Sequence, residues 1–357
     1  MRLRLLERTI KHLLVRAETF VNRRRGREFI PATTETFCIE TSGACNFNCR
    51  FCAYDKKQEP RVSMGHDLFV SCVEQALALG YREFHLTPCT GDVFMDKHVF
   101  DKFEFLDRHE GVRAYHFFTN LAVLNEEQVA RLVALKKLSR ITISIYGHDE
   151  ASFVALTQMP AKIHHRLLAD LRALLALRER WPFVVTIGFR STFDVPATAS
   201  GELMQILAEF KAAGVGIHSS HGIYNNWGGY ISQEDVAGLN LRILSGEDVA
   251  KTGPCVKLFD SMQVTATGIV NGCSCRDVDA TLRIGDLEQT PLREIISRNN
   301  AEYMRIIEEQ QAGQFRPVCR SCDYYRSVYH QPSNFRREGI PTQTMAAFLD
   351  RAKGDQA

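Results

Sequence analysis

The period of the hydrophobic pattern switches back and forth along this chain. Short apolar and β-branched runs at 35–41, 83–88, 114–119, 140–146, 183–190 and 215–219 read as strands. Between them, over about 66–79, 98–109, 125–136, 161–180 and 201–213, apolar residues return at helical spacing. Strands alternating with helices predict βαβ units around a parallel sheet. Ahead of the first strand, Leu6, Ile10, Leu13, Leu14, Ala17, Phe20 and Val21 also recur at helical spacing, interrupted by Arg2, Arg4, Arg8, Lys11 and Arg16. The expected organisation is an amphipathic helix in 1–34, an α/β core in 35–250, a smaller domain in 251–330 and a tail in 331–357. That tail, polar and marked by Pro332, Gly339 and Pro341, either wraps the core or stays mobile.

Composition narrows the function classes. At 357 residues and 45% hydrophobic, the chain builds a large core, and a net charge of +2 argues against a nucleic-acid binder. No run approaches the roughly 18 apolar residues of a membrane span. Residues 1–28 nevertheless hold nine Lys/Arg against three Glu, and the interrupting cations exclude a signal-peptide core. The expectation is a helix packed on its own domain with a solvated basic face; the alternative is contact with a membrane surface or an acidic partner. An odd count of 11 cysteines in a chain with ample core speaks against a disulfide framework and for a reducing compartment, so a cytoplasmic location is expected.

The cysteines carry the chemistry. Cys45-Asn46-Phe47-Asn48-Cys49-Arg50-Phe51-Cys52 places three thiols at C-x3-C-x2-C spacing just after the first strand. Three thiolates hold three irons of a four-iron cluster and leave the fourth open to substrate or cofactor. Zinc is the competitor, but structural zinc takes four ligands, and the nearest histidine, His66, is not local. Cys38 and Cys72, in strand-like and helical surroundings, read as small buried hydrophobes.

This triplet, with aromatic Phe51 before its third cysteine, resembles the signature of the radical S-adenosylmethionine (SAM) superfamily. The resemblance implies a partial (βα)6 TIM barrel and a [4Fe-4S] cluster whose open iron is chelated by SAM. It also implies reductive cleavage of SAM to a 5′-deoxyadenosyl radical that abstracts hydrogen from substrate, fed by a reducing partner such as flavodoxin or ferredoxin. Thr87-Pro88-Cys89-Thr90-Gly91-Asp92 resembles the family's Gly-Glu-Pro segment for the SAM amino group, with Asp92 in place of Glu and Val93 in place of Pro. Gly91 and Asp92 are thus expected SAM contacts. Thr119-Asn120 is expected to face the cavity. Ser144, after the fourth strand, is expected at the ribose, and Arg190, after the fifth, at the SAM carboxylate, unless it forms a surface salt bridge.

A second set follows. Cys255, then Gly268 with Cys273 after four further residues, then Cys319-x2-Cys322 resemble a SPASM or twitch domain. Ile284-Gly285-Asp286-Leu287 and the helical stretch from Pro291 fit it. That resemblance implies one auxiliary [4Fe-4S] cluster held by Cys255, Cys273, Cys319 and Cys322, with Cys275 competing for the second position; zinc is again the alternative. Cys89 and Cys275 are either buried hydrophobes or thiols able to return a hydrogen atom to a substrate radical. His218 and His221, with Tyr224, Asn225, Asn226 and Trp227 beyond the sixth strand, are candidates to line a substrate pocket and accept a proton; a solvated loop is the alternative. The resulting expectation is oxidation or epimerisation of a small polar, carbohydrate-like substrate, with a peptide-modifying maturase second. A non-catalytic electron relay is the rival from another class.

Overall fold

The computed structural model describes residues 2–32, 36–196 and 199–351, and the side chains of 9–32, 36–196 and 199–350. The expected strand start at Glu35, the boundary at 34, the side chains of Arg2, Arg4, Leu6 and Arg8, and the tail's last residues, 352–357, lie outside them.

Six parallel strands form in the expected order: β1 (Thr36–Ile39), β2 (Glu83–His85), β3 (Ala114–Thr119), β4 (Leu138–Tyr146), β5 (Val184–Ser191) and β6 (Gly216–His221). Each pairs with its sequence neighbour, and helices fill the crossovers: α2 (His66–Ala78), α3 (Val99–Arg108), α4 (Glu126–Leu132), α5 (Glu150–Thr157), α6 (Ala161–Ala176) and α7 (Glu202–Ala212). This is the open, partial (βα)6 barrel. The α6 stripe Leu167, Leu168, Leu171, Leu174 and Leu175 is buried, as its spacing requires. On α3, Phe103 stacks on Phe117 at 5.2 Å and on Tyr115 at 5.6 Å, locking helix to sheet. Helix α5 was not foreseen. Its start is specified by a reciprocal cap between Asp149 and Ser152, a signal that hydrophobic periodicity does not carry.

The sheet does not stop at the expected domain boundary. Strands β7 (Gln263–Val264), β8 (Ile269–Asn271) and β9 (Arg283–Asp286) extend it beyond β1 to nine strands. β7 runs parallel to β1 with Gln263 opposite Cys38, and β8 and β9 are antiparallel. The second cysteine set therefore grows out of the sheet edge beside the first. The tail wraps back: Thr342–Gln343 pairs with Ile30–Pro31, and Phe348 packs on Phe259 at 5.4 Å.

Helix α1 (Arg2–Arg24) is oriented opposite to expectation. Its polar side faces the protein. Thr19 and Asn22 are buried, Asn22 donates to the Tyr329 carbonyl at 3.1 Å, and Glu18 accepts from Arg336 at 2.7 Å. The apolar row Ile10, Leu13, Leu14, Phe20 and Val21 is exposed. The polar anchors fix the helix rotation and leave its hydrophobic face outward. Among the described residues, no helix is long and apolar enough to cross a membrane.

Candidate active site

The first three cysteines sit on the loop between β1 and α2, at the C-terminal end of the parallel strands, where barrels collect their chemistry. Cys49 is buried and Cys45 and Cys52 half-buried, and all three line one cavity of about 480 Å³. The Phe47 N–H donates to Cys45 Sγ at 3.4 Å. Burial pushes all three thiols up, and for Cys45 and Cys49 the neighbouring acidic groups add to the rise. Phe51 lies buried between Tyr146 and Tyr224, with ring centroids at 5.0 and 4.9 Å, and its carbonyl accepts from Trp227 Nε1 at 2.9 Å.

The turn after β2 is pressed against this loop. Gly91 has φ +97°, and a Cβ there would lie 2.2 Å from the Ser42 carbonyl oxygen, so no other residue fits. Asp92 lines the cavity, but its carboxylate is already engaged. Oδ1 accepts from the Phe94 N–H at 3.0 Å, and Oδ2 accepts from Thr119 Oγ1 at 2.9 Å and the Asn120 N–H at 2.8 Å. Asp92 thus ties the turn to the end of β3, a positioning duty that leaves little capacity for an ammonium group. The free group is two residues earlier. Thr90 Oγ1 is buried, lines the same cavity and has no partner. Thr119 and Asn120 face the cavity as expected.

Across the barrel, Ser144 and Tyr146 on β4 register with Gly188 and Arg190 on β5, which places all four on one sheet face. Ser144, Tyr146 and Arg190 line the cavity. Arg190 has no carboxylate partner among the described residues, so the surface salt-bridge alternative fails. Its charge instead opposes the upward shifts of Cys49 and Cys52.

The two histidines on β6 are a correction. His221 registers with Ser191, on the sheet face away from Arg190, is exposed, and lies 3.8 Å from Asp194. His218 registers with Gly188, on the cavity face, but β6 is the open edge of the sheet, and His218 is exposed outside the cavity lining. Asn226 does not line the cavity either; it donates to the Ser321 carbonyl at 2.7 Å and clips the segment to the second cysteine set. Trp227 does line it.

The wall missed from sequence comes from β2 and from the segment around β7. His85 is half-buried and stacked on His116 at 4.6 Å, with its Nε2 buried and unpartnered. Burial, reinforced by His116, drives its pKa well below the ordinary histidine value, so it is neutral. Cys38 is buried as expected but meets His85 Nδ1 at 4.0 Å on the cavity surface. Beside them, Lys257 donates to Ser261 Oγ at 2.9 Å and to Asp260 at 3.3 Å, and Ser261 donates to Asp260 at 2.6 Å. Only the fold reveals this wall, because it depends on β7 pairing with β1.

The second cysteine set closes around an adjoining small pocket lined by Cys255, Cys273, Cys275, Cys319 and Cys322. The Tyr324 N–H donates to Cys322 Sγ at 3.3 Å, the Cys275 N–H to Cys273 Sγ at 3.4 Å, and Gln310 Nε2 to Cys319 Sγ at 3.3 Å. Burial raises Cys255 to about 11 and Cys322 to about 12. Cys275, Lys257, Arg276 and Tyr324 border both cavities. Cys89 is half-buried on the larger one.

Both cysteine sets fit a soft metal centre. Converging thiols hold each other's protons on, and deprotonation becomes favourable when a cation replaces those protons. Donors already aimed at sulfur stabilise the thiolate form. In the first set, three thiols, an unpaired Arg190 and the orphaned Thr90 hydroxyl suit a centre with one open position beside a ligand bearing charged ends.

The family model of the Radical SAM superfamily matches residues 39–199, and that of an iron–sulfur cluster-binding domain, SPASM, matches residues 255–323. No curated protein matches the chain. Among solved structures, BtrN in complex with AdoMet and 2-DOIA is similar over 84% of this chain and 96% of its own, at 13% identity and a TM-score of 0.52. SuiB of Streptococcus suis bound to precursor peptide SuiA is similar over 96% and 80%, at 12% identity and 0.53. The structure of anSMEcpe with bound AdoMet is similar over 89% and 95%, at 12% identity and 0.50. At these identities the likeness is one of fold. The family's cofactors are a [4Fe-4S] cluster, SAM and auxiliary iron–sulfur clusters. The two matched segments hold the two cysteine sets that the sheet brings side by side, and the chain belongs to the radical SAM superfamily, as an enzyme with an added iron–sulfur cluster-binding domain.

Proposed function

We propose that this enzyme oxidises or epimerises a small polar, carbohydrate-like substrate held against the wall of His85, Lys257, Asp260 and Ser261, with Ser274 beside them on the cavity lining. The observation that carries this reading is the linked Lys257–Asp260–Ser261 network facing a cavity of about 480 Å³. Lysine, carboxylate and hydroxyl groups in that density suit the hydroxyl and amino groups of a polyol or aminocyclitol, which need several polar partners within a small volume. The fold itself accommodates both substrate classes: BtrN is held with 2-DOIA and SuiB with the peptide SuiA.

Cys45, Cys49 and Cys52 would hold the cluster, which together with SAM would supply radical hydrogen abstraction at the substrate. The protein binds, orients and shields. Arg190 and Thr90 address the polar end of SAM, and Phe51, Tyr146 and Tyr224 exclude water beside the third cysteine. His85, neutral and with Nε2 unpartnered, accepts the proton of a substrate hydroxyl in the role first expected of His218 or His221. Cys89 and Cys275 are the thiols positioned to return a hydrogen atom where the outcome is epimerisation. Cys255, Cys273, Cys319 and Cys322 would hold the auxiliary cluster, which in oxidation would take the electron left on the substrate after its hydrogen and proton are gone; a flavodoxin- or ferredoxin-like donor supplies the electron that SAM cleavage consumes.

The test is anaerobic turnover of the reconstituted enzyme with SAM, a strong reductant and carbinol-deuterated sugars and aminocyclitols. Deuterium appearing in 5′-deoxyadenosine supports the reading. Turnover with peptides alone makes the chain a maturase, and intact SAM alongside two reducible clusters makes it a relay.

A further inference from the structure

Helix α1 presents the face that soluble helices hide. Successive helical residues turn by about 100°, so Ile10, Leu13, Leu14, Ala17, Phe20 and Val21 form one continuous stripe. Every member of it is exposed, Leu14 to 65% and Leu13 to 58%. The opposite side, where a globular protein normally puts its apolar stripe, is polar and fastened. Glu18 takes His330 Nδ1 at 2.9 Å and Arg336 at 2.7 Å, Asn22 donates to Tyr329, and Arg23 donates to the Gln311 carbonyl at 2.7 Å. The helix therefore cannot bury the stripe by rolling without breaking these bonds. A contiguous apolar surface held outward in this way marks a docking face.

The surrounding charge selects the occupant. Lys11, Arg16, Arg23 and Arg24 are all exposed, and the Arg24 guanidinium lies 4.4 Å over the Phe20 ring at the end of the stripe. Glu18 is paired with the Arg336 guanidinium and hydrogen-bonded to His330, and Glu28 accepts the Met345 N–H at 2.6 Å. The face thus offers leucine, isoleucine and phenylalanine bordered by cations, with no free carboxylate among residues 9–28. A second copy of the same face would bring two strongly positive segments together. An anionic surface with an apolar interior complements both features, and a helix with this division of residues lies in the plane of such a surface.

We propose that α1 is a lipid-binding helix that seats this enzyme on the surface of an anionic membrane, with the active-site cavity left in water. The inference is independent of the substrate reading, since neither cavity includes a residue of α1.

The experiment uses the full reconstituted chain and sedimentation with phosphatidylcholine vesicles, with and without phosphatidylglycerol. The expected result is binding to the anionic vesicles that weakens with salt. Leu13→Glu/Leu14→Glu should bind them about a hundredfold more weakly, and Lys11→Gln/Arg16→Gln about tenfold. Both variants should fold, because the changed residues are exposed, and should cleave SAM at the wild-type rate. Wild-type protein that remains in the supernatant with anionic vesicles at low salt overturns the proposal. So does a wild-type oligomer that Leu13→Glu/Leu14→Glu disperses while vesicle binding is absent, since the stripe is then a protein–protein face.

Discussion

Glu40 and Lys57 meet 2.5 Å apart, both almost wholly buried, at the two ends of the loop that carries the first three cysteines. The pair closes that loop like a clasp. Gly43 lies tightly beneath it, with a Cβ there only 3.0 Å from both charged groups and from the Pro60 carbonyl. A buried pair adds little net stability over an apolar substitute, but removing one partner strands a charge and costs about 3–5 kcal/mol. Lys57→Met should therefore lower stability by that order and reduce iron loading at the triplet. Glu40→Gln/Lys57→Met should recover much of both. Denaturant titration with iron analysis measures them, and a Lys57→Met protein as stable and as fully loaded as wild type would show that the clasp does nothing.

Thr90 and Asp92 separate binding from scaffolding within three residues. Thr90→Val removes a buried, unpartnered hydroxyl, so the fold should tolerate it while the KM for SAM rises about tenfold, the worth of one hydrogen bond to a charged group. Asp92→Asn should do the reverse. Its amide nitrogen would face a donor where a carboxylate oxygen now accepts, costing about 1–3 kcal/mol of stability. Melting temperature and SAM titration on the two variants give the split. A Thr90→Val enzyme with unchanged SAM affinity excludes the hydroxyl from the site.

The stacked pair His85 and His116 makes the barrel acid-sensitive. Burial, then Arg140, lowers His116 from 6.5 to about 4, and His85 shifts the same way. Below pH 6.5 the unfolded chain binds protons that the folded chain refuses until about pH 4. Stability should therefore fall as pH drops through that window and be fully present above it. His116→Gln should flatten the slope. Unfolding midpoints recorded from pH 7 down to 4 decide the matter: a wild-type profile no steeper than the variant's removes the pair from the explanation.

Strand order and most helices were legible because alternation between two hydrophobic periods is local information. The cysteine triplet, Phe51, Gly91, Ser144 and Arg190 could be placed near one another because each follows a strand and the barrel gathers strand ends on one side. What escaped was non-local. The wall of Lys257, Asp260 and Ser261 reaches the cavity only because β7 pairs with β1, a contact spanning more than 200 residues. His218 and His221 looked equivalent in sequence, yet strand alternation sends them to opposite faces, and the open barrel edge leaves both in solvent. The inverted α1 was illegible for a related reason. Periodicity reveals an apolar stripe but not its direction, which the distant partners His330, Arg336 and Tyr329 set.

Cys273 and Cys275 compete for one ligand position, and backbone geometry distinguishes them. Cys45, Cys273 and Cys322 each accept the N–H of the residue two positions on, at 3.4, 3.4 and 3.3 Å. Cys275 has no such donor among the described residues and instead borders the larger cavity as well as the pocket of the second cysteine set. An N–H aimed at sulfur favours the thiolate and therefore the metal ligand. Cys273→Ser should lower the reconstituted enzyme from about eight irons to about four, whereas Cys275→Ser should keep about eight, the content of two [4Fe-4S] clusters. The Cys45/Cys49/Cys52→Ala variant should keep about four, held by the second set alone, and release no 5′-deoxyadenosine. If Cys275→Ser rather than Cys273→Ser loses the second cluster, the assignment reverses, and with it the role of Cys275 as a free thiol facing the substrate.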